Sequence, residues 1–176
     1  MTPEELKSLV RTIPDFPKQG IQFRDITTLL GHGPGFAATV EWLAGEVEGT
    51  EAIAGMEARG FIFGAAVAAR LCLPFLPIRK PGKLPCAVIG VDYELEYGLD
   101  RLEMDPTAVA QGQQVAIVDD LLATGGTALA ATELLRQAGA RVERAAFVID
   151  LPDLGGSSRL VKEAVDVRRL MQFAGE

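Results

Sequence analysis

"VAIVDDLLATGGTALAATELL", residues 115–135, is the stretch on which the fold turns. Val115 to Val118 form a short apolar run that leads into two adjacent carboxylates, Asp119 and Asp120, and a Thr-Gly-Gly-Thr corner from Thr124 to Thr127 follows. Beyond the corner, Ala131, Leu134, Leu135 and Ala138 recur at the i, i+3, i+4, i+7 spacing of one buried helix face. Gly139 supplies a C-terminal stop, and Thr127 is placed to cap the start. A buried aliphatic strand, a tight corner and an amphipathic helix make one unit of a parallel sheet.

The same unit recurs on both sides. "EAIAG" at 51–55, "PFLPIR" at 74–79, "QVAIVDD" at 114–120 and "VERAAFVID" at 142–150 read as strands, while "GFIFGAAVAARL" at 60–71 and "TALAATELLRQA" at 127–138 read as helices. The fold class expected is α/β, an open and mostly parallel sheet flanked by helices. Toward the N terminus, "PEELKSLVRTI" and "PGFAATVEWLAGEV" read as helices on either side of the loop-like "FPKQGIQFRDIT". Residues 80–104, "KPGKLPCAVIGVDYELEYGLDRLEM", carry no helical period and predict an antiparallel excursion or flexible hood. A long interruption of this kind in a compact domain is usually functional.

The chain of 176 residues predicts a single domain spanning 1–176. Lys and Arg number 17 against 24 Asp and Glu, a formal net charge of −7, so no basic stripe points to nucleic acid. "MTPEELKSLV" has neither a basic nor an apolar leader region and no stretch is long enough to span a membrane, so a cytoplasmic protein without a membrane partner is expected. Cys72, Cys86 and the single histidine, His32, make no metal-ligand cluster. The cysteines read as reduced and structural, and His32 in "GHGPG" reads as a solvated turn residue.

In an open parallel sheet, ligands bind beyond the carboxyl ends of the strands, where Asp119 and Asp120 fall. Ala123, Thr124, Gly125, Gly126 and Thr127 then enter a helix, so free amides and the positive end of the helix dipole converge on a volume suited to phosphate. The two acids do not suit the phosphate itself. They suit vicinal sugar hydroxyls with a divalent cation nearby, and a phosphosugar satisfies both demands. Neither G-x-x-x-x-G-K-[ST] nor a strand-borne G-x-G-x-x-G is present, so the site is neither a P-loop nor a dinucleotide site. Arg59, between a short strand and a helix start, can clamp phosphate oxygens with its planar fork; a surface salt bridge is the plain alternative. Phe61 to Phe63 read as core packing, and Glu57 as a capping or orienting residue.

"VDDLLATGGT" at 118–127 resembles the 5-phosphoribosyl 1-diphosphate signature of the type I phosphoribosyltransferases. "FRDIT" at 23–27, "GMEARGFIFG" at 55–64, "RKPGKLP" at 79–85 and "YELEYG" at 93–98 are similar, in order and spacing, to the adenine-specific branch of that family. The resemblance covers residues 13 to 160. It implies transfer of the phosphoribosyl group to N9 of adenine, giving AMP and diphosphate, with Mg²⁺ carried mainly by the phosphoribosyl diphosphate substrate and no dedicated protein metal site, in a homodimer. Carried over by position, Ala58 and Arg59 meet the diphosphate, Arg79, Lys80 and Lys83 lie near it, and Phe23 and Arg24 border the adenine pocket. For the lysines a solvated basic turn stands beside direct contact. In the hood, Glu96 is expected to hydrogen-bond adenine N7 and shuttle a proton while Tyr97 covers the reacting centre; a solvated Glu96 equivalent to Glu94 is the other reading. Gln22 and Gln111 depart from the family pattern, the first on the base face and the second in a turn. A transferase for xanthine, guanine or orotate keeps the reaction and changes the acceptor. A non-catalytic phosphoribosyl diphosphate sensor would need a DNA-reading module for which the chain has no spare segment.

Overall fold

In the computed structural model, which describes residues 1–95 and 98–175, five parallel strands form the central sheet. Helix α1 (Pro3–Ser8) is followed by β1 (Arg11–Pro14), β2 (Gln22–Asp25), α2 (Thr27–Leu30) and α3 (Gly33–Glu46). Then come β3 (Ala52–Met56), α4 (Gly60–Leu71), β4 (Phe75–Ile78), β5 (Ile89–Leu95) and β6 (Gly98–Met104). Strand β7 (Gln114–Leu122), α5 (Gly126–Gln137), β8 (Arg141–Asp150), α6 (Gly156–Lys162) and β9 (Asp166–Gln172) complete the chain. The sheet order is β4-β3-β7-β8-β9 and every neighbouring pair is parallel.

Alternation along the strands divides the core between the two faces. Ala52, Ala54, Val115, Ile117, Ala145 and Phe147 pack toward α5, whereas Ile53, Ala116, Val118, Ala146 and Val148 pack toward α3 and α4. Of the two forms expected for 80–104, the antiparallel one holds over the last part: β5 pairs with β6 from Ile89 to Met104. Its body is not a free flap: Val91, Tyr93, Leu102 and Met104 are buried in the same cluster as Ala128, Ala131 and Leu135 of α5.

Three expectations need correction. The N-terminal helix stops at Ser8, because residues 11–14 are drawn into an antiparallel pair with β2. The segment read as a loop at 16–27 therefore contains a strand. At the opening of α5 the cap is Gly125 (φ 83°), and Thr127 lies inside the first turn. Gly125 takes the left-handed conformation that favours glycine, which removes any need for a capping hydroxyl. In "FIF" only Phe63 is deep core; Phe61 meets Phe75 edge-on with centroids 5.6 Å apart, and Ile62 is exposed. Cys72 and Cys86 are free and exposed. His32 caps α3, its Nδ1 accepting the Gly35 amide at 3.0 Å.

Candidate functional site

Two hollows meet at the carboxyl edge of the sheet. The first, a polar cleft of about 440 Å³, is lined by Glu57, Ala58 and Arg59 after β3, by Asp119 and Asp120 at the end of β7, and by Ala123 to Thr127. Ala58, Arg59, both acids and the whole Thr-Gly-Gly-Thr corner thus come together as the sequence suggests. Helices α4 and α5 both begin at this cleft, so the positive dipole end of each lies beside it, although in α4 the Phe61 and Ile62 amides already donate to the Ala58 and Arg59 carbonyls.

The corner is supported from behind by a feature the sequence reading missed. A Cβ on Gly125 would lie 3.0 Å from the Cα of Gly156, and one on Gly156 would meet the Ala123 carbonyl oxygen at 2.3 Å. The Gly156 amide donates to that carbonyl at 3.1 Å, and Arg159 donates to the Thr124 carbonyl at 2.8 Å. The pair Gly155-Gly156, at the start of α6, was the signal for this close approach. Gly60 is equally cramped: its Cβ would fall 2.6 Å from Asp119 Oδ1.

The acids differ in their surroundings. Asp119 Oδ1 accepts the Asp120 amide at 2.8 Å. Burial, followed by the neighbouring Asp120 charge, raises its pKa well above the ordinary carboxylate value. Asp120 is buried and its Oδ2 lies 2.9 Å from Arg59 Nε, although this atom accepts no well-aligned hydrogen bond. Burial raises the Asp120 pKa too, with the Arg59 guanidinium opposing it. Arg59 is therefore held by an ion pair in this state, and its side chain, 43% exposed, remains open to the cleft.

The second hollow, about 640 Å³, has mostly apolar walls: Phe23, Arg24 and Gln22 on one side, Leu151 and Leu154 on the other. It shares Arg59, Leu121, Ala123 and Thr124 with the polar cleft, so the two are continuous. Phe23 packs edge-on against Phe16, and the Arg59 guanidinium lies 5.8 Å from the Phe23 ring centroid. Arg24 borders the hollow, yet its guanidinium is committed elsewhere, to Thr12 Oγ1 at 2.7 Å and the Ala174 carbonyl at 2.9 Å. Asp25 pairs with Arg11 and accepts from the amide and hydroxyl of Thr27. Those bonds hold its pKa at about 2.

Arg79, Lys80 and Lys83 do not line either hollow. Arg79 forms a two-pronged pair with Glu57, both contacts at 3.2 Å, and donates to the Lys83 carbonyl at 3.1 Å. The Lys80 amide donates to Glu57, while its ammonium is paired with Asp100 and lies 3.1 Å from the Tyr93 hydroxyl. These interactions tie the basic loop to Glu57, which orients its neighbours. Glu96 and Tyr97 lie outside the described residues. Among the described residues no three His, Cys, Asp or Glu side chains converge as a metal cage, and no helix is long and apolar enough to cross a membrane.

Comparison with known proteins meets this geometry. Residues 27–171 match the model of the phosphoribosyl transferase domain. The chain is 69% identical to an adenine phosphoribosyltransferase from Erythrobacter litoralis, with 99% of each chain covered. Among solved structures, it matches an adenine phosphoribosyltransferase from Thermoanaerobacter pseudethanolicus with a TM-score of 0.93 at 48% identity, covering 98% of this chain and 100% of the other. It matches the Saccharomyces cerevisiae enzyme, complexed with D-2,5-dideoxy-2,5-imino-altritol 1,6-bisphosphate and adenine, with a TM-score of 0.88 at 38% identity, covering 96% and 98%.

Proposed function

The chain belongs to the adenine phosphoribosyltransferase family, and from that premise we propose that it forms AMP and diphosphate from adenine and 5-phosphoribosyl 1-diphosphate in purine salvage. The observation that carries this reading is the junction of the two hollows: a polar, amide-lined cleft opens into an apolar pocket at Arg59, Leu121, Ala123 and Thr124. A phosphosugar and a flat base, each in the hollow suited to it, meet there. The amides of Ala123 to Thr127 hold the 5-phosphate, and Asp119 and Asp120 accept hydrogen bonds from the ribose hydroxyls. Ala58 and Arg59 face the diphosphate at the start of α4, and Phe23 lies against the base.

In the reaction the bond from ribose C1 to diphosphate oxygen breaks, its electron pair leaving with diphosphate, while N9 of adenine forms the new bond and gives up its proton to the departing diphosphate. Mg²⁺ fits as a partner of the substrate: Glu57, the third acid of the cleft, is tied to Arg79, among the described residues no three acids converge as a cage, and magnesium favours phosphate oxygens and water with few carboxylates. When bound it offsets the charge of the leaving diphosphate. The ribose centre becomes oxocarbenium-like, so water must be excluded. The 80–104 hood supplies that shield in a chain that works as one domain. Arg79, Lys80 and Lys83 reach the diphosphate only by exchanging their present partners for it. Glu96 of the hood serves N7 of the base, and Tyr97 covers the reacting centre. The same family reading carries a cytoplasmic homodimer, which sedimentation would check.

The test is AMP formation from adenine and phosphoribosyl diphosphate, with and without Mg²⁺, against a panel of guanine, xanthine and orotate. Magnesium-dependent AMP formation with preference for adenine is expected. No AMP, or preference for another base, overturns the reading.

A further inference from the structure

The wall of the apolar pocket that carries Phe23 and Arg24 belongs to the two-stranded β1-β2 ribbon and is not part of the central sheet. A two-stranded ribbon is at best marginally stable by itself. Something else must fix its distance from the opposite wall, Leu151 and Leu154. The C-terminal segment after β9 touches both. Toward the ribbon, the Ala174 carbonyl accepts from Arg24 at 2.9 Å, and the Phe173 ring lies 4.7 Å from the Arg24 guanidinium. Toward the opposite wall, the Phe173 amide donates to the Asp150 carbonyl at 3.1 Å, and the Gly175 amide donates to Asp153 Oδ2 at 2.8 Å. Leu151 and Leu154 adjoin those two acceptors in the chain.

Arg24 makes this arrangement informative. The residue is buried, and its Nε has no hydrogen-bond partner. Burying part of a guanidinium without a partner is costly; Thr12 Oγ1 holds the side chain from within the ribbon at 2.7 Å, and the Phe173 ring and Ala174 carbonyl hold it from the C-terminal segment. We propose that residues 173–175 form a clasp that sets the width of the base pocket, with Phe173 as a positioning residue that acts through Arg24 on β2. The proposal rests on the base being bound in this pocket. A preset pocket lowers the ordering cost of base binding, while the phosphate corner, supported independently by Gly156 and Arg159, is left unchanged.

The experiment is steady-state kinetics with adenine and phosphoribosyl diphosphate varied separately, on full-length Phe173→Ala, Phe173→Tyr and Asp153→Ala. Phe173→Ala should raise KM for adenine about tenfold and leave KM for the donor within about twofold, since only the base loses a preformed site. Phe173→Tyr, which keeps a ring over Arg24, should restore the wild-type value. Asp153→Ala, altering an exposed side chain, should raise KM for adenine alone by about threefold. A folded Phe173→Ala with unchanged KM for adenine, or with both KM values rising together, overturns the clasp. If Phe173→Ala does not fold, Asp153→Ala decides by the same split: a rise for adenine alone supports the clasp and no rise overturns it. Wild-type protein that makes no AMP sinks the functional reading and the clasp with it; wild-type turnover with unshifted variants sinks the clasp alone.

Discussion

The polar cleft and the apolar pocket lie side by side at one sheet edge and are made in opposite ways. The cleft is mostly backbone: a run of nine residues, 119–127, supplies the two acids and the corner, and a second helix start at 58–59 closes it. The pocket is mostly side chain, gathered from 18–24, 121–124 and 151–154. A backbone site tolerates changes that leave φ, ψ and close approach intact, and fails when an added carbon stands where an amide must meet a ligand. A side-chain site loses affinity in proportion to the contact removed.

The sharpest break between them is expected at Gly126. Its φ is not positive, and a Cβ there would meet the Glu94 carbonyl at 3.4 Å, Tyr93 Cδ2 at 3.8 Å and Thr124 Oγ1 at 3.9 Å, all ordinary contacts, so the fold accommodates a substitution. The added branches of a valine would crowd the corner proposed to hold the phosphate. Gly126→Val should remain folded and lose AMP affinity by about 100-fold, the scale of one charge-assisted hydrogen bond of ~1.5–3 kcal/mol. Titration calorimetry on the folded variant gives the comparison. Unchanged AMP affinity would mean that the corner does not hold the phosphate. Gly125 differs, since its positive φ and the 3.0 Å approach of Gly156 make substitution there a folding defect as well.

A smaller and differently directed loss is expected in the pocket. Phe23→Ala removes a ring from the proposed base face, and stacking is worth ~1–3 kcal/mol per base. KM for adenine should rise about tenfold while KM for the phosphoribosyl donor holds, a split set by the ~1.4 kcal/mol that corresponds to each factor of ten. Equal rises in the two constants would erase the distinction between the hollows.

The contrast in construction also explains how much was legible before the fold was known. The cleft could be read because strand end, acids, corner and helix are contiguous, and period and turn chemistry act over that range. Strands β3, β7 and β8 and helices α4 and α5 were legible for the same reason. The pocket was legible only in part. Phe23 and Arg24 were found, but nothing local to "FRDIT" tells that the Arg24 guanidinium is bonded to Ala174, 150 residues away. Residues 11–13 continued an apparent helix period, and only the partner strand at 22–25 makes them a strand. The basic loop was legible only as charge: Arg79 and Lys80 advertise it, while their present partners Glu57 and Asp100 lie remote in sequence.

The smallest expected effect is one of stability, and it separates the cleft from the pocket by pH. Asp119 holds its carboxyl half-buried beside Asp120, and its pKa is raised in the folded protein by desolvation and by the Asp120 charge. The sign follows from linkage. Below the unfolded carboxylate value of ~3.9 the group is protonated in both states and contributes no penalty. As pH rises through the folded value, the native state must ionise a group that burial and its neighbour disfavour, and stability falls. Asn retains an oxygen for the Asp120 amide and removes the titration. Asp119→Asn should therefore raise Tm at neutral pH by about 2–4 °C, the shift that ~1 kcal/mol produces in a domain of this size, while KM for the phosphoribosyl donor rises because a proposed ribose acceptor is lost. The gain in Tm should vanish toward pH 4, where wild type also carries the proton. Phe23→Ala, which removes no titrating group, should show the same Tm difference from wild type at both pH values. Thermal melts of the three proteins across this range, beside donor KM values, provide the measurement. A Tm gain for Asp119→Asn that is equal at pH 4 and pH 7, or absent at both, would show that the paired acids are not held against their own ionisation.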